Sequence, residues 1–342
     1  MQRKLASIQT VLSVEPIEGS DFIEKIKVLG WQCVARKGEF GVGEPCCYIE
    51  VDSMLPIKPE FEFLRKSCYR KMHTGQEGFR IKTVTLRKTL SQGIALPLNS
   101  LPVGNYCEGQ DVTDLLGVFK YEYYIPPSIS GEVWGRRPHF VPLTDEMRIQ
   151  SYPKLLEEIK GKRVYRSIKL DGCSMSVYFN PNEERKFGVC SREMDLKETE
   201  GNTLWKIVNR YGLKEKLNGY APIVLQGELC GPGIQKNRLN LLDHDWFIFD
   251  VWFPDRNRYA SLEEMIVISN DLGLKTVPIE TTYDSFNFTQ DELLSTAEGK
   301  YQGTENQREG NVWRPTEPCY SETLNGRLSF KVLNNKFLLK ED

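Results

Sequence analysis

Lys169-Leu170-Asp171-Gly172 sets an amine and a carboxylate one residue apart and follows them with a glycine. A lysine that sheds its proton can attack a phosphorus or carbonyl centre, and a nearby carboxylate can hold a metal or take the proton. Taken alone, the four residues fit a surface Lys–Asp pair beside a turn glycine more readily, because so short a match arises easily by accident. Residues 173–179 then alternate small, polar and apolar side chains at period two, the pattern of a strand leaving a tight turn.

Further chemistry-bearing residues follow in order. Ser191-Arg192 ends an apolar run with an arginine at its tip. Glu228 interrupts the apolar stretch 223–231, where a carboxylate needs a partner: a metal, a ribose or a salt bridge. The aromatic-rich strand 245–252 contains Phe247-Ile248-Phe249-Asp250, whose rings suit core packing or a ligand platform. Glu309-Gly310 opens one strand, and Ser329-Phe330-Lys331 places a single lysine in another. Upstream, residues 144–150 predict a helix, with Thr144 as cap and Asp145 and Glu146 complementing its dipole. Helices are also expected to open at 200–208 and to span 261–272 and 291–301, covering the sheets.

The elements that position these residues suggest two domains, since 342 residues exceed one ordinary core. Composition is that of a globular chain with no bilayer-crossing run and no signal-peptide core at its start. Nine cysteines without a C-x-x-C pair, and only three histidines, argue against a disulfide framework or a structural zinc site. A reducing compartment, cytoplasmic or nuclear, is expected. The net charge of −2 gives no global sign of a nucleic-acid partner, so charge is read locally.

Before about residue 124 the chain reads as short strands and glycine-rich turns, about five strands that suit a small Greek-key barrel of the OB type. Between Lys58 and Lys88 nine basic residues face three acidic ones, with Tyr69 and Phe79 among them. A basic strip with aromatics on such a barrel suits a nucleic-acid backbone, and equally a solvated face. Residues 121–138, with Pro126-Pro127, Gly131 and Gly135, read as a linker.

In this order the clusters resemble the nucleotidyltransferase signature of the covalent ligase and mRNA-capping superfamily. The likeness runs through K-x-D-G (Lys169 to Gly172), S-R (Ser191, Arg192), G-E-L (Gly227 to Leu229) and F-I-F-D (Phe247 to Asp250), and closes with E-G-x-V (Glu309 to Val312) and Ser329-Phe330-Lys331. Six clusters in register over about 160 residues make a specific match. In DNA ligases and capping enzymes an OB domain follows this signature. Here eleven residues follow Lys331 and a barrel-like module precedes the lysine. That order, with Gly30-Trp31, Lys37-Gly38-Glu39-Phe40 and Leu90-Ser91-Gln92-Gly93 in the barrel, is similar to the RNA ligase family typified by the Deinococcus and Naegleria enzymes.

The resemblance implies an α+β chain: an OB-like, nucleic-acid-binding β-barrel over 1–125, a linker over 126–138, and an adenylyltransferase domain over 139–342. That second domain is expected to consist of antiparallel sheets flanked by helices. It implies an ATP-dependent ligase that joins 3′-OH and 5′-phosphate RNA ends at nicks, in RNA repair, through lysyl-AMP and RNA-adenylate. Lys169 matches the nucleophile, and Lys331 the lysine at the α-phosphate. Asp171, Glu228 and Glu309 match the carboxylates that hold Mg²⁺ or Mn²⁺, largely through waters. Arg148, Arg192, Glu228 and Phe249 match the nucleotide contacts, Phe249 stacking on adenine, Glu228 reading the ribose and Arg148 facing the outgoing phosphates. The partner is RNA with 3′-OH and 5′-phosphate ends, there is no membrane, and the chain is expected to be a monomer. Three positions depart from the pattern. Leu333 stands where many relatives carry a second lysine, with Lys336 as a substitute on the opposite strand face. Glu193 stands where asparagine is common, and Met147 is uncharged beside Arg148.

Overall fold

The computed structural model describes residues 3–122 and 126–340. The chain divides into two units, Met1–Tyr124 with Ile149–Pro153 and Leu338–Asp342, and Ile125–Arg148 with Lys154–Phe337. In the first, Ala6–Pro16 is a long strand that pairs with Pro45–Ile49 through its first half and with Ile23–Val28 through its second. A register shift between Val11 and Ser13 bends it, as an extra residue in an antiparallel ladder does. Ile94–Pro97 and Trp31–Arg36 complete this five-stranded sheet. A four-stranded sheet holds Phe119–Lys120, Ser53–Leu55, Glu77–Arg80 and Tyr69–Lys71. The bend lets one strand serve two apolar clusters, with Ala6 and Ile8 beside Ile49, Phe61 and Phe79, and Val11 beside Ile26, Val28 and Trp31.

The basic strip is partly neutralised within this unit. Arg65 pairs with Glu62 at 2.6 Å, Lys71 with Glu77 at 3.0 Å and Arg80 with Asp52 at 3.3 Å. Phe79 is fully buried core, so it offers no stacking platform. Sequence adjacency placed these charges together, and the fold spends several of them on local carboxylates.

In the second unit an eight-stranded sheet takes the order Val133–Arg136, Met194–Leu196, Phe187–Cys190, Cys173–Phe179, Ile223–Cys230, Asp245–Phe253, Arg258–Tyr259, with Lys275–Thr276 added in parallel to Asp245–Phe253. Helices Thr203–Tyr211 and Leu262–Leu272 bury Leu204, Ile207 and Met265 with its Val177, Leu225 and Ile248. Asn202 caps the first by accepting from the Trp205 amide, and Ser261 with Glu264 forms a capping box on the second. A four-stranded antiparallel sheet, Ile279–Tyr283, Val164–Lys169, Gly310–Pro315 and Phe330–Leu333, is the other layer. The third predicted helix is Gln290–Ala297, ending before Tyr301. Among the described residues no helix is long and apolar enough to cross a membrane.

Two expectations differ from the structure. Residues 126–138, read as linker, contain a helical turn, Pro127–Ser130, and an edge strand, Val133–Arg136, paired to Met194–Leu196. Trp134 anchors this strand beneath the cations of Arg185 and Lys197, at 4.4 and 5.3 Å from its ring. The remaining part of the 121–138 reading, 123–125, lies outside the described residues. The helix expected from Thr144 does not form; a short 3₁₀ turn, Ile149–Ser151, follows instead. Its polar side chains are taken by distant partners: Thr144 by Ser174, Asp145 by Arg192 and Glu146 by Arg314.

Candidate active site

Lys169 is the last residue of the strand Val164–Lys169 and lies opposite Gly310. Leu170, Asp171 and Gly172 carry the chain from the small sheet to the large one, where Cys173 pairs with Leu229. A side chain at Gly172 would put its Cβ 2.4 Å from the Leu229 carbonyl and 2.9 Å from Glu228 Cγ. Glycine is required there because the turn runs hard against the strand that carries Glu228. Gly310 is equally confined, since a Cβ would lie 2.1 Å from the Val332 carbonyl. The two motif glycines therefore let strand ends bearing Asp171, Glu228, Glu309 and Lys331 close on Lys169.

Lys169 Nζ donates to Glu309 Oε2 at 2.7 Å. Burial alone would lower its pKa, but Glu309, Glu228 and Asp171 outweigh burial and raise it above the ordinary lysine value. The carboxylates feel the reverse. Burial, reinforced by Glu309, pushes Asp171 up to about 6 against the pull of Arg238 and Lys169. Burial also pushes Glu228 up to about 7, with Glu309 and Asp171 adding to it, while Lys169 and the Gly172 amide oppose. Lys331 is pulled down to about 7 by burial and by the charges of Lys169 and Arg148. The Lys331 amide donates to the Met147 carbonyl at 2.8 Å, and Arg148 forms a parallel bridge with Lys331. The corner thus crowds three carboxylates and three cations around one amine.

Phe249 owes its placement to a bulge. Gln226 pairs with Asp250 and Gly227 with Ile248, so Phe249 is the extra residue. Trp246, Ile248 and Val251 join the core beneath the helices, whereas Phe247 and Phe249 pack with Ile168, Leu170 and Tyr301 in the smaller cluster. The bulge thereby turns Phe249 and Asp250 away from that helix-covered core.

Sequence reading missed three groups around this site. Arg238 Nε donates to Asp171 Oδ2 at 2.8 Å, and its guanidinium lies 4.4 Å from the Phe337 ring centroid. The Tyr301 hydroxyl donates to the Lys169 carbonyl at 3.0 Å and accepts from the Glu309 amide at 3.1 Å. Arg314, almost wholly buried, donates to the Phe249 carbonyl at 2.8 Å and pairs with Glu146 at 2.6 Å and Asp250 at 3.2 Å. Arg327 also bonds Asp250, and Ser329 bonds Glu146. An arginine directly after Val312-Trp313 in the strand Gly310–Pro315 was the legible signal for Arg314. Arg238 and Tyr301 lie in loops with no pattern to mark them.

Lys169, Asp171, Glu228, Glu309, Lys331 and Arg148 share one electrostatic environment. Arg192 is more peripheral: it is exposed after the strand Phe187–Cys190 and bonds Asp145, with its shortest contact at 2.5 Å. Leu333 is a buried apolar residue opposite Gly310. Lys336 does not replace the lysine that relatives place there, because it is exposed and pairs with Glu298 at 2.6 Å. Among the described residues no three His, Cys, Asp or Glu groups close into a metal cage. Asp171 and Glu228 nevertheless carry raised pKa values in a half-buried, oxygen-rich corner, which suits a hard cation held through its waters.

Comparison with known proteins gives two family matches: an OB-fold domain over residues 5–98 and RNA ligase over residues 162–333. Among solved structures, the Naegleria gruberi RNA ligase with pyrophosphate is 35% identical, with a TM-score of 0.89 and 99% of each chain covered. A variant of that ligase with AMP and Mn matches with a TM-score of 0.90 at 35% identity, and another with ATP and Mn with 0.89 at 35%, each over 99% of both chains. The search of curated proteins gave no match.

Proposed function

The chain belongs to the RNA ligase family, and we propose that it uses ATP to seal 3′-OH and 5′-phosphate RNA ends at nicks, through a lysyl-AMP on Lys169. The observation that carries this reading is the 2.7 Å pairing of Lys169 Nζ with Glu309 in a corner where Glu228 and Asp171 also act on the amine. A bound Mg²⁺ or Mn²⁺ would supply positive charge beside the α-phosphate and draw the carboxylates off the lysine. Asp171, Glu228 and Glu309 would hold it.

Lys169 passes a proton to Glu309, 2.7 Å away, its nitrogen lone pair forms a bond to the α-phosphorus of ATP, and its second proton goes to solvent as the P–N bond forms. The α–β bridging P–O bond breaks and pyrophosphate leaves with the electron pair. Arg148 would face the phosphates as a cation, and Lys331, which burial and its cationic neighbours bring to a pKa of about 7, would take up a full proton as the phosphate charge arrives beside it. Phe249 offers its ring to adenine, and Arg314 holds the Phe249 backbone from behind. Glu228 would read the ribose, and the exposed Arg192 would contact the nucleotide. In the second step an RNA 5′-phosphate oxygen attacks the lysyl-AMP phosphorus, breaking the P–N bond and returning a proton to Lys169. In the third a 3′-hydroxyl oxygen forms a bond to the activated 5′-phosphorus and gives its proton to solvent, while the bridging P–O bond breaks and AMP leaves with the electron pair. On this reading the chain acts as a monomer, in the cytoplasm or nucleus, in RNA repair.

Incubation with ATP labelled at the α-phosphate and a divalent cation should label the wild-type protein and not Lys169→Ala. Equal labelling of the variant would overturn the mechanism, and labelling by GTP in preference to ATP would reassign the nucleotide.

A further inference from the structure

Val84–Leu86 and Thr89–Ser91 form a two-stranded hairpin in the first unit, with Leu86 opposite Thr89, so its loop is the pair Arg87-Lys88. Both loop residues lie in the left-handed region, with φ of 47° and 63°. A two-residue hairpin loop of this type is best built from Asn-Gly, because an ordinary side chain is strained at positive φ. The turn thus carries the two long cations at a conformational cost, where uncharged residues would be easier.

The hairpin has a fixed base and a free tip. Gln32 Nε2 donates to the Leu90 carbonyl at 2.8 Å, and the Val34 amide to Ser91 Oγ at 3.0 Å. The Gln92 amide donates to the Gln32 carbonyl at 2.8 Å, and Tyr48 Oη donates to the Gln92 carbonyl at 2.9 Å. Ser91 and Gln92 are buried, whereas Val84, Leu86, Arg87 and Lys88 are exposed. Packing does not explain the strained tip. Arg65, Lys71 and Arg80 of the same basic stretch are instead paired with carboxylates. Among the described residues neither Arg87 nor Lys88 forms an ion pair.

We propose that this hairpin is a rigid arm whose Arg87-Lys88 tip binds two phosphates of the RNA substrate. The proposal rests on the RNA-sealing reading above. Two adjacent cations on a short, anchored loop contact a phosphodiester backbone without reading its bases, and each contact displaces condensed counterions.

The test uses the full chain carrying R87N/K88G, with a nicked RNA duplex and a single-stranded RNA of equal length as probes. Removing the strain should raise the Tm by about 2–4 °C. The slope of log binding constant against log salt should become shallower by about 1.4 on the single strand or about 1.8 on the duplex. RNA affinity at low salt should fall roughly 10-fold, with self-adenylylation from labelled ATP unchanged. R87Q/K88Q removes the charge but keeps non-glycine residues at both positions, so it should lose RNA affinity without the gain in Tm. Unchanged salt slopes and affinities in both variants, beside a wild type that binds and seals RNA, would overturn the arm alone. A wild type that is neither labelled nor able to bind RNA would overturn the sealing reading as well.

Discussion

Tyr301→Phe removes one oxygen atom and tests whether the loop hydroxyl positions Lys169, the proposed nucleophile. That hydroxyl bridges the Lys169 carbonyl at 3.0 Å and the Glu309 amide at 3.1 Å, and Tyr301 is only 4% exposed. Phenylalanine keeps the ring in the small apolar cluster but deprives two buried backbone groups of this partner. Each such loss costs about 1–3 kcal/mol, so about 2–4 kcal/mol in total allows for partial relaxation. The corresponding fall in Tm is roughly 5–10 °C. The larger consequence concerns alignment, because the same bridge couples the lysine strand to the carboxylate that pairs with it. A displacement approaching 1 Å between nucleophile and phosphate costs about 100-fold in rate. Single-turnover labelling at saturating ATP should therefore slow about 10- to 100-fold, with little change in the ATP concentration for half-maximal rate. Circular dichroism at the assay temperature separates this from unfolding. A folded variant labelled within about twofold of the wild-type rate would refute the positioning role.

Two further outcomes follow from the charges of the second unit. Lys331 is pulled down to about 7 from an ordinary value of 10.5, so between these values the unfolded chain holds a proton that the folded chain lacks. Stability from this group therefore rises with pH from about 7 to 10.5; Lys331→Met should flatten that rise in urea melts across this range and stabilise the protein below pH 7, and an unaltered profile would refute the depressed pKa. Arg314→Met leaves Glu146 and Asp250 short of their shared buried cation and should cost about 3–5 kcal/mol, read as a lower urea midpoint; a midpoint equal to wild type would show that Arg327 and Ser329 suffice.

Read in order, the residues make legible the candidate site groups and the succession of elements that carry them. Glu228 stood out because a carboxylate within an apolar run needs a partner, whereas Lys169, Asp171, Glu309 and Lys331 stood out only through the ordered clusters that resemble the nucleotidyltransferase signature. The helices Thr203–Tyr211 and Leu262–Leu272 were legible from their local residue pattern, and the structure adds their caps at Asn202 and Ser261. Prolines and glycines misled at 126–138, where composition cannot reveal that a neighbouring strand satisfies the backbone. Polar residues misled at 144–148, whose partners lie on other strands.

Tertiary structure alone decided the charge state and support of the site. The Lys169–Glu309 pair spans 140 residues of sequence, and the Arg238–Asp171 pair 67. Whether Lys169 holds its proton tightly while Lys331 gives its up depends on burial and on charges brought together through space. No spacing in the chain encodes those distances. They arise where two glycines allow the strand ends of two sheets to meet.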